Sequence, residues 1–424
     1  MQKSLIEKVR SISTLNKAWA AIRRNARTSK SPETRDEAAA FEENALENIT
    51  RIQRQLNKNK FVFMPATGKP IRKRGKKSIR PLVIAPLESR IVQRAVHDVL
   101  VTVQNLQPFV RTPYSFGGIK KARDQEISSV PAAIYSALEA IGNGSVYVVR
   151  SDISSFFTRI PKSKVLSIIG NVVEDANFNE LLRSATDVEL QNMAELRQHI
   201  HCFPIEDIGV AQGNSLSPLL GNIFLADFDR ELNRSPDVRC IRYIDDILIL
   251  APRRSTANNH FEKAKVLAKD LGLEFSQSKT DFADAMKGFL FLGIELENGL
   301  IRPSKEKRDG LVRSVAELLS ESCASLTSIN GSNPFDSKYN LINTLLRVRA
   351  LVLGWGKHYW FCNDFNCIEI MDKETDRLIE AYRASYAQAV NSLDISKRRT
   401  LLGIEGLSQM DRSKHFNWPT LGRP

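Results

Sequence analysis

Apolar positions recur at helical spacing through the first 58 residues, where Phe41, Ala45, Ile49, Ile52 and Leu56 share one face. Ser31-Pro32 divides that region into two helical parts. The segment VYVVRSDI at 146–153 is β-branched and ends at an acid, which predicts a strand. Residues 209–232 begin as a Gly- and Ser-containing loop and continue as a helix, with Pro218 in its first turn and Leu220, Phe224, Phe228 and Leu232 spaced by four. Ser255 or Thr256 is expected to cap a helix carrying Phe261, Ala264, Ala268 and Leu271, and Gly272 to close it. Strands are expected at LEFS from 273 and FLFLGIEL from 289, followed by an Asn298-Gly299 hairpin turn. Strand, helix, strand, strand, helix, strand is the order of a split βαβ sheet packed on helices. The remainder, from 305, reads as mainly helical.

One apolar run breaks this pattern. In IRYIDDILIL at 241–250 two adjacent acids, Asp245 and Asp246, interrupt a strand. In a continuous strand they would point to opposite faces and one would be buried. A hairpin, with Ile241 and Tyr243 on one arm and Ile247 and Ile249 on the other, would leave both acids solvated.

Charge narrows the partner. Lys and Arg total 61 against 48 acids, a net +13, which favours a polyanion such as nucleic acid. The run KPIRKRGKKSIR at 69–80 holds Lys69, Arg72, Lys73, Arg74, Lys76, Lys77 and Arg80 without an acid, and Gly75 suggests an exposed loop. A short strand and a helix bearing Arg90 and Arg94 follow directly, an anchor that could hold phosphates in a fixed place. No apolar run of about 18 residues is present and the N-terminus lacks a signal-peptide core, so a cytoplasmic location is expected and no membrane partner. Five cysteines without paired CxxC spacing indicate neither a disulfide framework nor a zinc site.

Asp152 ends one expected strand and Asp245 sits at the turn of another. Adjacent strands lie about 4.8 Å apart, so the two carboxylates could share a pair of magnesium ions, which take oxygen ligands and are commonly completed by substrate phosphates.

These blocks together resemble bacterial reverse transcriptases of the group II intron-like lineage. The resemblance rests on RPLVIAPLESRIVQRAV at 80, PYSFGGIKKA at 113, SDISSFFTRIP at 151, GVAQGNSLSPLLGNIFL at 209, RYIDDILIL at 242, FSQSKT at 275, FLFLGIEL at 289 and LGWGKHYW at 353, in the family's order. It implies an α+β right-hand polymerase fold: an N-terminal helical region at 1–58, fingers at 59–145, a palm at 146–304 with a split βαβ antiparallel sheet and an insertion near 162–208, and a helical thumb and extension at 305–424.

By the same resemblance, Asp152 and Asp245 hold two magnesium ions, manganese being an alternative, with the Ile153 carbonyl completing the shell and Asp246 beside them. Phe157 matches the steric gate against a ribose 2′-hydroxyl. Gln212 and Gly213 back the incoming nucleotide and template base, and Arg80, with one of Lys76 or Lys77, binds the triphosphate. Lys279 matches a general acid for the departing pyrophosphate. Arg72, Lys73, Arg74, Lys77, Arg90, Arg349 and Lys357 are expected along the nucleic-acid path, while Trp355, Tyr359 and Trp360 are read as core. The implied partners are dNTPs, a structured RNA template and its cDNA product; a second copy or an accessory protein is left open.

Ala211 stands where the family usually has Pro. A Cys- and His-rich endonuclease domain, VTG and NAxxH are not found, and QGxxxSP is retained, which points towards free-standing, defence-associated enzymes. Two alternatives stay open: a maturase-like RNA-binding protein, and template-independent or protein-primed synthesis in the same site.

Overall fold

The computed structural model describes residues 3–29, 31–72, 79–119, 121, 125–326, 335–391 and 393–404, without the side chain at 396. The chain divides into two compact units, Met1–Asp284 and Ala285–Pro424.

The first unit opens with helices Leu5–Val9, Ile12–Arg27, Pro32–Glu43 and Ala45–Asn57. Ser31 caps the third by accepting from the Thr34 amide, and Pro32 occupies its first turn, where a missing N–H costs nothing. Phe41, Ile49, Ile52 and Leu56 are buried as their spacing predicts.

Strands β1 (Thr67–Arg72) and β2 (Ile79–Ile84) form an antiparallel ribbon in which Arg72 faces Ile79. Thus Lys69 and Arg72, expected in a loop, lie in a strand, because their neighbours pair with the apolar β2. Residues 73–78 fall outside the described residues.

The sheet that matters for function contains β3 (Tyr147–Asp152), β4 (Arg239–Tyr243), β5 (Asp246–Ala251) and β6 (Asp281–Asp284). Its order is β4-β5-β3-β6, antiparallel throughout. Helices Ser217–Phe224, Ala226–Leu232 and Arg254–Asp270 intervene in sequence, giving the expected split βαβ arrangement. Ile247, Leu248, Ile249 and Leu250 are all at most 1% exposed, since a central strand covered on both faces reads as a continuous apolar run.

Two local expectations fail here. LEFS at 273 is not a strand: Phe275 makes a single bridge to Ile153, and Gln277–Lys279 form a 3-10 turn that ends the pairing. The sheet is completed instead by β6. The helix at 254 starts after an extended Arg253 with no side-chain cap, which puts Ser255 and Thr256 inside its first turn. Gly272 does close it, at φ +76°.

In the second unit FLFLGIEL is two strands rather than one. Leu292 and Gly293 both take positive φ, so β7 (Phe289–Phe291) folds back on β8 (Ile294–Glu297). Asn298 (φ 47°) and Gly299 (φ 81°) then form the expected turn to β9 (Leu300–Pro303), as the primed hairpin turns require. Helices Lys305–Ser325, Leu341–His358 and Phe365–Asn391 pack around Leu311, Val315, Leu319, Val348, Met371 and Tyr386. The sheet β7–β9 belongs with these helices to the second compact unit.

Candidate active site

Antiparallel pairing brings the two acidic segments together. Asp152, the last residue of β3, lies directly opposite Asp246, the first residue of β5, and directly opposed side chains share a sheet face. Asp245 sits in the two-residue turn between β4 and β5. Its carbonyl accepts from the Ile153 amide at 2.9 Å, and the Asp152 carbonyl accepts from the Ser276 amide at 2.9 Å. The turn is strained: Ile244 has φ +60°, unusual for a β-branched residue. Both hairpin acids are half-buried, not solvated.

This clustering has electrostatic consequences. Asp152 is 7% exposed; its Oδ1 is buried without a hydrogen-bond partner, while Oδ2 meets the Lys279 ammonium. Asp246 is pushed up to about 6 by burial first, then by Asp245 and Asp152, against the opposing pull of Lys279 and Arg150. Opposed carboxylates repel, and a divalent cation relieves that repulsion.

Among the described residues no group of three or more His, Cys, Asp or Glu side chains forms a complete metal cage. Magnesium does not need one: it is held by one or two carboxylates together with waters and substrate phosphates. An orphaned carboxylate oxygen on Asp152 and a neighbouring acid with a raised pKa fit such an ion.

Next to β3 lies a cavity of about 770 Å³ lined by Arg80, Ser155, Thr158, Arg159, His201 and Gln212 among others. Ser155 adopts φ +52° at the mouth of the short helix Phe156–Arg159. Phe156 is buried beneath Gly221, where an added Cβ would stand 2.8 Å from its ring. Phe157 is half-buried, and its carbonyl accepts from the Val210 amide at 2.7 Å, which joins it to the loop bearing Gln212. That loop is tied to β2 by the Val83 amide donating to the Gln212 carbonyl at 2.8 Å. Gly213 has φ +115° and its Cβ would lie 2.7 Å from the Val83 carbonyl, so only glycine fits there.

The cavity thus unites Arg80 and Gln212 from distant segments. Lys279 does not line it and meets Asp152 instead. Of the other lining residues, Arg159 lies inside the SDISSFFTRIP block without a role assigned to it there, and His201 lies outside every quoted block.

The remaining expected residues are scattered. Arg72 is exposed on β1, and Lys73, Arg74, Lys76 and Lys77 lie outside the described residues. Arg90 is paired with Glu37 of the N-terminal helices, which commits its charge within the fold. Arg349 and Lys357 are exposed on Leu341–His358. Tyr359 is buried and packs at a tilt against Trp355, ring centroids 4.6 Å apart, as expected of core. Trp360 is not core: it is 80% exposed, because the helix ends at His358 and the chain turns it outward.

A split βαβ sheet with carboxylates gathered at one end, beside a cavity edged by arginine and glutamine, defines a palm-type polymerase domain. The chain belongs to the family described as reverse transcriptase (RNA-dependent DNA polymerase), which matches residues 71–296, just over half of it. Protein YkfC of Escherichia coli K12 is 27% identical over 289 residues, covering 59% of this chain and 71% of YkfC. An uncharacterized 91 kDa protein in a cob intron of Schizosaccharomyces pombe is 27% identical over 190 residues, 44% of this chain and 21% of that protein. Among solved structures, a partial Cas6-RT-Cas1–Cas2 complex is 20% identical with a TM-score of 0.36, covering 63% of this chain and 43% of that one. Apo telomerase from Candida tropicalis, truncated from its C-terminal domain, is 12% identical with a TM-score of 0.41, covering 57% of this chain and 55% of that one. No helix among the described residues is long and apolar enough to cross a membrane.

Proposed function

We propose that the chain synthesises DNA on an RNA template from dNTPs, by phosphoryl transfer assisted by two divalent ions. The observation that carries this reading is the joining of β3 to the β4–β5 turn, with Asp152 opposite Asp246 and the Ile153 amide bonded to the Asp245 carbonyl, while Ser155 of the following segment lines the cavity of Arg80 and Gln212. Asp152, Asp245 and the Ile153 carbonyl would hold the ions. Magnesium bound there supplies activation of the attacking hydroxyl and stabilisation of the leaving oxygen.

The protein's own groups do the rest. Arg80 offers a planar fork to the triphosphate, Gln212 and Gly213 form the wall behind the nucleotide, and Phe157 closes the space that a 2′-hydroxyl would need. Lys279 neutralises Asp152 and is placed to exchange that partner for a cation. The helix Leu341–His358 contains no acid, and with Arg349, Lys357 and the exposed Trp360 it suits a polyanionic duplex.

The biological setting proposed is copying of a dedicated structured RNA in antiphage defence, reached by elimination, since QGNSLSP is retained and the VTG and NAxxH signatures are not found. Sequencing the RNA and DNA that co-purify with wild type and with an Asp245→Ala, Asp246→Ala variant tests it. One RNA in both samples with complementary DNA only in wild type supports a dedicated template; RNA without matching DNA in either favours a binding role.

A further inference from the structure

The block PYSFGG and the arginine of RYIDD have no part in the reading above, yet they meet behind the catalytic turn. Arg242 is 1% exposed and Asp229 3%. The Arg242 Nε and a terminal nitrogen each donate to the Asp229 carboxylate at 2.6 Å, a bidentate pair. Its other terminal nitrogen donates to the Asn222 side-chain oxygen at 2.9 Å and to the Ile244 carbonyl at 3.1 Å. Asn222 in turn donates to the Gly117 carbonyl at 2.9 Å, and the Thr112 hydroxyl donates to Asp229.

The backbone continues the connection. The Arg242 amide donates to the Tyr114 carbonyl at 2.9 Å, and the Phe116 amide to the Arg242 carbonyl at 3.0 Å. A Cβ on Gly117 would stand 2.6 Å from the Ile244 nitrogen. The guanidinium therefore grips the strained residue immediately before Asp245 from behind, and links it to two helices and the 112–118 segment.

Stability is a poor explanation for this arrangement. A fully buried ion pair loses hydration that its mutual attraction barely restores, and well-packed apolar replacements are often as stable. What apolar residues cannot supply is a directed donor to the Ile244 carbonyl. Holding ion-binding groups in place from behind is worth roughly 10–100-fold in metal affinity where it has been measured.

We infer that Arg242 and Asp229 are positioning residues, a buried clamp that holds the Ile244–Asp245 turn at the height where the Asp245 carboxylate can meet a metal ion opposite Asp152. The inference rests on the polymerase reading of the site, and its test includes a readout that does not depend on that reading.

The experiment compares wild type with an Asp229→Leu, Arg242→Met double variant, measuring thermal unfolding, manganese affinity by electron paramagnetic resonance, and primer-extension kinetics. The expected result is a folded protein of similar Tm, manganese binding weakened roughly tenfold, and kcat lowered by roughly 10–100-fold with the KM for dNTP nearly unchanged. A folded double variant with wild-type manganese affinity and kcat overturns the clamp.

If the double variant does not fold, Asn222→Ala, which removes the links to Arg242 and to Gly117 but leaves the Arg242–Asp229 pair, replaces it under the same criteria. If wild type extends no primer, the polymerase reading fails and manganese affinity alone decides: weakening in the variant keeps the clamp, and equal affinities overturn it. Manganese binding by neither protein overturns both.

Discussion

The Ile153 amide donates to the Asp245 carbonyl at 2.9 Å. This one bond joins the residue after Asp152 to the turn of the β4–β5 hairpin, so the two acids cannot drift apart without breaking sheet pairing. It also turns the Asp245 carbonyl towards β3. Preorganisation of that kind places charge before the substrate arrives.

Phe157 is half-buried, tied to the Gln212 loop through Val210, and lies between Ser155 and Thr158, which line the cavity, without lining it itself. Phe157→Ala is expected to raise ribonucleotide incorporation relative to deoxynucleotide by roughly tenfold or more. Paired primer extensions with dNTPs and rNTPs read this ratio, and an unchanged sugar preference removes the gate assignment.

Asp246 carries a pH signature. Its pKa is raised from the ordinary 3.8 to about 6, so the folded state holds this proton more tightly than the unfolded chain does. Its contribution to stability is therefore complete below about pH 3.8 and is lost as pH rises through about 6. Asp246→Asn should raise the Tm of the metal-free protein at pH 7.5 and leave it nearly unchanged at pH 4, and saturating magnesium should shrink the difference at pH 7.5. A Tm gain of equal size at both pH values would contradict the clustered-carboxylate account.

Gly213 combines a positive φ with a close approach to the Val83 carbonyl. Gly213→Ala should push the Gln212 loop away from β2 and raise the KM for dNTP, with a stability loss of roughly 1–3 kcal/mol. Steady-state kinetics at varied dNTP and a denaturation curve separate the two effects. Wild-type KM with wild-type stability would show that the loop has room the geometry denies it.

Trp360 and Tyr359 are neighbours with opposite fates, 80% and 7% exposed. Tyr359→Ala should cost roughly 3 kcal/mol, the price of emptying an aromatic site in a packed core, whereas Trp360→Ala should leave Tm nearly unchanged and weaken duplex binding. Lys357→Ala should weaken binding regardless of sequence and lower the slope of log affinity against log salt by about 1. Thermal unfolding alongside binding titrations at two salt concentrations would distinguish these cases; a Trp360→Ala protein that binds normally would leave the residue without a role on the duplex.

Much of this was legible from local pattern. The apolar run before Asp152 and the acids of YIDD each encode their element within a few residues, whereas the four-residue spacing of Leu220, Phe224, Phe228 and Leu232, read as one helix, spans two, Ser217–Phe224 and Ala226–Leu232. What escaped was set by distant partners. Leu292-Gly293 breaks an apolar run because it turns, and composition alone cannot distinguish that from a long strand. Phe275 looks like a strand residue, but its pairing ends where the Gln277–Lys279 turn begins. Arg242 is recognisable as an oddity in an apolar strand, yet its partner Asp229 follows Phe228 on a helix whose apolar spacing does not show that an acid beside it is buried too. Tyr359 keeps the i+4 spacing from Trp355 and is buried, whereas Trp360 lies past the end of the helix at His358 and is exposed.

Primer extension on an RNA template with dNTPs and magnesium, run with wild type and Asp245→Ala and with RNA binding measured in parallel, tests the central claim most directly. Full-length DNA from wild type, none from the variant and equal RNA binding by both is the outcome the site geometry requires. DNA synthesis by both proteins at the same rate would mean that the carboxylates joined through Ile153 are not the catalytic centre.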